Sequence, residues 1–341
     1  GNIFHPAGMA KIQDLLSSAM VPLAIPIMLF ACTFSRSQTR SQLLALITGM
    51  VAVIAAVVAG YFIFGRNIEN GAKIGGMLTG VYTGGTVNLA ALKTLLDVPD
   101  ETFILLNSYD MIISFLYLTF LLSLGIKWFR KILPNETGHA AADDDAAIKE
   151  ALDKTEADPY KGLFTRGGLK DAGVLLGIDA LIIGISAGLG LLAGDGWFMT
   201  VLILMLTTLG IAASFWKPVR TRKYGYEIGM YFIYIFSVVV ASMADVKNLD
   251  IAGGAGALGY LIFVVFISLA LQALLSKIFH LDADTTVIGS VALLCSPPFV
   301  PMISAAMHNR RSLAAGLAIG IVGYAVGTYL GFGIFRLLSL F

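Results

Sequence analysis

Thr83, Gly84, Gly85, Thr86 and Asn88 stand in the middle of an apolar run, residues 73–94, where a membrane helix would ordinarily carry Leu and Val. Two adjacent glycines weaken a helix, since Gly costs about 1 kcal/mol against Ala and leaves its backbone uncovered. At bilayer depth such a break is tolerated only inside protein or along a watery cavity. Two hydroxyls and an amide beside the break are binding groups. A half-helix starting there also presents unpaired N–H groups and a partial positive charge, which suit a carboxylate, and unwound carbonyls suit a sodium ion. The competing reading is a glycine pair that lets helices pack closely; the accompanying Thr and Asn favour a site.

Two further groups could act with it. Asn107 and Asp110 are three residues apart and share one helix face. An acid inside a membrane span is a functional residue by default, so Asp110 is a candidate to ligate sodium or to take a coupling proton, with Asn107 beside it. A solvated place near the outer interface is the alternative for Asp110. In residues 285–307, Ser290, Ser296, Pro297 and Pro298, with Ser304, mark a second interruption. Prolines remove donors and clash with the preceding turn, so this run is not one continuous helix. Its polar content is thinner, which fits a gate or a backbone ligand. Asp179 is undecided, and Asp245 reads as interfacial.

Other features read as structure. Gly316, Gly320, Gly323, Gly327 and Gly331 lie three or four apart and form a close-packing stripe. Pro22 and Pro26 bend the first helix. Cys32 and Cys295 fall in apolar runs as small buried hydrophobes. His5, His139, His280 and His308 fall in loops or at ends, and there is no nucleophile elbow, His/Glu pair or phosphate loop. An enzyme, a resident cofactor and a nucleic-acid partner are therefore not expected.

The elements that must position these residues follow from composition. With 57% hydrophobic and 13% charged residues, and a mean hydropathy of +0.83, the chain is an all-α polytopic membrane protein whose solvent is the lipid bilayer. The net charge of +1 is uninformative; the placement of Lys and Arg carries the topology. Eight apolar runs are long enough to span: 15–33, 43–65, 103–126, 173–193, 197–215, 229–244, 256–275 and 313–335. If both interrupted runs are re-entrant hairpins, Arg36, Arg40, Lys127, Arg130, Lys131, Lys217, Arg220, Arg222, Lys223, Lys277, Arg310 and Arg311 fall on one side. Only Arg66, Lys73, Lys93, Lys247 and Arg336 remain for the other. Half-helices of about 10 residues reach the midplane at about 1.5 Å per residue.

That topology makes residues 1–133 and 171–341 inverted repeats, each with a broken hairpin, joined by a cytoplasmic acidic linker at 134–170 with a helical stretch at 146–152. Inverted repeats of this kind are typical of secondary transporters. The second half has two extra helices ahead of its repeat core, so two N-terminal helices are expected before the first. The expected activity is sodium- or proton-coupled movement of a small organic anion held between the two tips. A sodium/proton antiporter, and a sensor or scaffold that docks a partner on the linker, are the alternatives.

Val21-Pro22-Leu23-Ala24-Ile25-Pro26, Tyr82 to Asn88, Asp110, and the closing run from Gly320 to Gly331 resemble the YjcL-like family of bacterial membrane proteins (domain of unknown function 819). The last motif is the most specific, and the resemblance covers nearly the whole chain. Family members usually carry two more N-terminal helices. The family is in turn distantly similar to glutamate/sodium and citrate/sodium symporters. This likeness implies inverted repeats, two re-entrant hairpins, a homodimeric scaffold, elevator-type transport and a multi-pass place in the bacterial cytoplasmic membrane. Where the family tends to have Ser-Asn-Ala and then Gly-Gly-Pro, this chain has Ser290-Val291-Ala292 and then Cys295-Ser296-Pro297. Only Ser290 and Pro297 carry over at that hairpin.

Overall fold

A computed structural model describes residues 9–30, 40–134, 160, 162–194, 196–220, 222, 224–243, 254–307 and 309–341. The expected helical stretch at 146–152 and Asp245 lie outside the described residues. The helices are α1 (Met9–Phe30), α2 (Arg40–Ile63), α3 (Gly71–Leu95), α4 (Asp100–Phe120), α5 (Ile126–Ile132) and α6 (Arg166–Ala193). They continue with α7 (Phe198–Ser214), α8 (Lys217–Arg220), α9 (Gly225–Met243), α10 (Gly254–Ile278), α11 (Ala283–Leu294), α12 (Val300–Met307) and α13 (Arg310–Leu338). A π turn, Leu121–Gly125, joins α4 to α5. No strand occurs among the described residues.

Six helices are long and apolar enough to cross a membrane: Lys11–Phe30, Arg40–Ile63, Asp100–Ile132, Arg166–Ala193, Gly254–Ile278 and Ala315–Leu338. Two of the eight expected spans are shorter as helices, Phe198–Ser214 and Gly225–Val240. The first is confined between the turn at Gly194 and the break before Lys217-Pro218. The protein is a multi-pass, all-helical membrane protein.

Several buried hydroxyls in these helices turn back to their own backbone, as suits a medium without water. Thr48 donates to the Ala45 carbonyl, Thr79 to Gly75 and Thr207 to Ile203, at 3.2, 2.9 and 2.9 Å. Where a helix starts in a polar loop it is capped. The Asp282 carboxylate accepts from Thr285 N–H at 2.7 Å, and the Thr165 hydroxyl accepts from Gly168 N–H at 3.2 Å.

The described residues cluster into two compact units, each drawing on both halves of the sequence. One contains α1, α3 from Val87 onward, α4 up to Asn107, and α6 to α9. Inside it α1 runs through Pro22 and Pro26 and packs against α9 and α7. A Cβ on Gly229 would strike Met28, and one on Gly210 would lie 2.9 Å from Pro26 Cα. Lys93 pairs with Asp100 at 2.6 Å across the turn from α3 to α4.

The other unit contains α2, α3 up to Thr86, α4 from Ser108, α5, and α10 to α13. Its core is set by close approaches at small residues. The Tyr260 hydroxyl donates to the Val57 carbonyl at 2.8 Å. Its ring occupies the space a side chain at Gly60 would need, 2.6 Å away.

Candidate functional site

The first limb of α3 ends in a run of self-satisfied threonines. The Thr83 hydroxyl donates to the Thr79 carbonyl at 2.6 Å, which leaves its oxygen as an acceptor. Helical geometry then stops. Gly84 has φ −156° and ψ 16°, and Gly85 has φ 74° and ψ −174°, a region that essentially only glycine enters. The second limb resumes at Thr86 and runs to Leu95.

The second interruption is built alike. α11 ends at Leu294 and Cys295 caps it; Ser296 then adopts φ 78° and ψ 158°, the same glycine region, before Pro297 opens a 3-10 turn into α12. A Cβ on Gly85 would fall on the Ser296 Oγ, with Tyr324 Cε1 at 3.1 Å and Ser296 Cβ at 3.3 Å. The two breaks, far apart in the chain, therefore touch within one unit.

Helix α13 is the seat for both. A Cβ on Gly323 would strike the Thr83 carbonyl oxygen, and one on Gly320 would strike the Pro297 ring. One on Gly316 would lie 2.6 Å from Val300 and 2.7 Å from Ile288. At Gly316, Gly320 and Gly323 the stripe is a packing surface, as its spacing implies, and the last two of these meet the breaks.

Beside the breaks lies Asp110. As a residue it retains some exposure, but its Oδ1 is enclosed without a hydrogen-bond partner, as is the Tyr82 hydroxyl. Tyr82 and Ser114 are the polar side chains acting on the carboxylate. Cys295 lies within electrostatic reach of Asp110, Tyr82 and Tyr117. One turn beyond Ser114, the Tyr117 hydroxyl shares a 2.5 Å hydrogen bond with Ser290 Oγ. Asp110, Ser114 and Tyr117 thus occupy one face of α4 at spacings of four and three.

At its other end the α11–α12 hairpin is closed by Arg130. The guanidinium donates to Asp284 at 2.8 and 3.0 Å and to the Met307 carbonyl at 2.6 Å. Asn309 Nδ2 donates to the same Asp284 at 2.9 Å, and Ser304 Oγ to the Asn309 carbonyl at 2.8 Å. The start of one limb and the end of the other are therefore joined at one point, with Ser296 at the far end.

The family model described as "Protein of unknown function (DUF819)" matches residues 2–341. The chain belongs to the DUF819 family. It is similar to "Uncharacterized membrane protein YjcL" of Bacillus subtilis (strain 168), 24% identical over 342 residues that cover 94% of this chain and 82% of the relative. No solved structure matches.

The remaining sequence candidates of this DUF819 chain are placed as follows. Thr86 is partly exposed. Asn88, 3% exposed, and Asn107 belong to the unit that does not contain Asp110, so Asn107 and Asp110 fall on either side of the division in α4. The backbone of Pro298 lies in the 3-10 turn. Asp179, left undecided above, is fully buried in α6. Tyr82, Ser114, Tyr117, Tyr324 and Arg130 were not singled out as site residues. Only the helical spacing of Ser114 and Tyr117 from Asp110 signalled any of them. Among the described residues no group of three or more His, Cys, Asp or Glu side chains is placed to hold a metal ion.

Proposed function

We propose that this protein is a secondary active transporter of a small organic anion, a carboxylate, amino acid or keto acid, coupled to sodium or protons. The observation that carries the reading is the contact of the Gly85 break with the Ser296 break beside Asp110. Each break interrupts a helix at membrane depth, and such interruptions are tolerated only inside protein or along a cavity. Thr83 to Thr86 with Asn88 on one side, and Ser290 with Ser296 to Pro298 on the other, would contact the substrate. Asp110 and Asn107 would serve the coupling ion. The hairpins would move against a homodimeric scaffold in the bacterial cytoplasmic membrane, in an elevator cycle built on inverted repeats.

The test is uptake into proteoliposomes across a panel of dicarboxylates, amino acids and keto acids, with and without a sodium or proton gradient. Gradient-driven uptake of one class, lost when Asp110 becomes Asn, is the expected result. Absence of driven uptake for every member of the panel would sink the reading.

A sodium/proton antiporter is the second reading. It calls for more than one intramembrane acid, and Asp179 supplies a second buried carboxyl.

A further inference from the structure

Helix α6 is mostly bare. Gly173, Gly177, Gly184 and Gly188 have open space where a Cβ would stand, and Leu176, Leu181 and Ile185 are exposed. Only one seam is covered: Gly168, Leu175, Asp179, Ile182, Ser186 and Gly190. Their spacings of seven, four, three, four and four place them along a single helical face. Two of those six positions are polar. Asp179 and Ser186 are both 0% exposed, and Asp179 Oδ1, Asp179 Oδ2 and Ser186 Oγ all lack a hydrogen-bond partner. They stand two turns apart along the seam. The helix that carries them is a 28-residue span with a hydropathy of 2.2.

The seam faces α7, α1 and α9. Leu175, one turn before Asp179, lies 3.8 Å from where a Cβ on Gly225 of α9 would stand, and that same position is 3.1 Å from the Ile27 carbonyl of α1. Asp179 is thus one turn along from where α6, α1 and α9 converge. Helix α7 carries no titratable side chain; α1 carries Lys11 and Asp14, and α9 carries Tyr226, Glu227, Tyr231 and Tyr234. On α6 itself Arg166 and Lys170 lie more than two turns before Asp179, and Asp171 is engaged by Arg222 at 2.7 Å. Among the groups whose side chains are described, none acts on Asp179. An ionised carboxylate enclosed by apolar walls with no cation and no donor is the costliest arrangement a span can hold, whereas a neutral carboxyl costs only its unmade hydrogen bonds.

We propose that Asp179 is a proton-binding site: it is a neutral carboxyl while the α6 seam is closed, and it exchanges its proton with water when the seam opens. On opening, the carboxyl O–H bond breaks, the proton passes to water, and the carboxylate left behind is solvated; closure follows recapture of one proton from water. Ser186 is a second unpartnered polar group two turns along the same seam. The site stands apart from the Gly85–Ser296 contact and does not require that any substrate be transported. Combined with the transport reading, it makes protons an ion that this protein carries.

The test is infrared difference spectroscopy of the full chain in lipid, with no substrate added, following the C=O stretch of protonated carboxyls in H₂O and D₂O. A protonated-carboxyl band should persist at neutral pH, exchange slowly into D₂O, and be lost in Asp179→Asn. In Asp179→Glu it should shift in frequency and remain. Ser186→Ala should leave it in place. Because the Glu variant keeps the seam's acid, it decides the matter even if Asp179→Asn does not fold. A band that survives Asp179→Asn, that fails to shift in Asp179→Glu, or that exchanges at once into D₂O would overturn the proposal. So would a carboxylate band at Asp179 that responds to sodium against potassium and not to pH. Failed uptake in the panel above would leave these readings intact, so the two proposals fail separately.

Discussion

Replacing Gly85 by Ala tests the contact between the two helix breaks. The added methyl would occupy the place of the Ser296 Oγ, with Tyr324 Cε1 at 3.1 Å and Ser296 Cβ at 3.3 Å. The backbone it would have to adopt has φ 74° and ψ −174°. Two costs arise. Holding a residue with a Cβ in that region costs about 1 to 3 kcal/mol. Forcing an extra methyl into a filled space costs about 1 to 3 kcal/mol more. A loss of roughly 2 to 6 kcal/mol is therefore expected. The partner change separates the terms. Ser296→Gly removes both atoms of Ser296 that the new methyl meets, and it also relieves Ser296 of its own φ of 78°. Alone, it should stabilise by about 1 kcal/mol, the relief of about 1 to 3 less the added chain entropy of about 0.5 to 1. In the Ser296→Gly background, Gly85→Ala should keep its backbone cost and lose most of its steric one, a coupling of about 1 to 2 kcal/mol. The assay is unfolding of the four proteins in mixed micelles on titration with a denaturing detergent. Strict additivity of the two changes, or a Gly85→Ala protein as stable as its parent, would refute a contact between these tips.

Four other outcomes are expected. Arg130→Met removes a partly exposed guanidinium from Asp284 and should loosen the base of the α11–α12 hairpin, so that limited proteolysis begins to cut near residue 309; solvent screening holds the cost to about 1 kcal/mol. Gly323→Ala meets the Thr83 backbone oxygen, which cannot rotate away as a side chain would; a loss of about 2 to 3 kcal/mol should appear in the same micelle titration. Tyr117→Phe leaves the buried Ser290 hydroxyl without its partner, and the double change with Ser290→Ala should recover part of the loss; the single change should cost about 1 kcal/mol or somewhat more in that assay. Thr86→Ala and Asn88→Ala should each weaken driven uptake while leaving the melting temperature close to that of the parent; unaltered uptake in both would remove the first break from the substrate-binding set.

The membrane class and the positions of both breaks were legible because each rests on a local property. An apolar run declares a span by its length, and Thr83-Gly84-Gly85-Thr86 and Ser296-Pro297-Pro298 interrupt such runs by removing side-chain cover or backbone donors. Gly316, Gly320 and Gly323 were legible as a packing stripe for the same reason, since their spacing is a property of one helix. What those glycines pack against was not, because contact of α13 with Thr83, Pro297 and Val300 depends on closure between segments far apart in the chain. Where the Thr83 hydroxyl sends its proton is a matter of local geometry: the preceding turn of its own helix offers a carbonyl at 2.6 Å.

Ser296 shows how the sequence and the fold constrain one another. Ser296, set before two prolines, reads in the sequence as a polar group at an interruption. The backbone there nonetheless keeps the conformation that glycine favours, and it is Gly85, on the facing break, that lacks the side chain. The single Oγ between the two tips occupies the space a Cβ on Gly85 would need, so only one of the pair can carry a side chain while they touch. A chain with glycine at position 296 could accept Ala at position 85 more readily; one with Ser296 cannot. Which tip carries a side chain is therefore a packing requirement before it is a recognition device: the break that bears it and the break that must lack it are set by one shared volume of a few atoms.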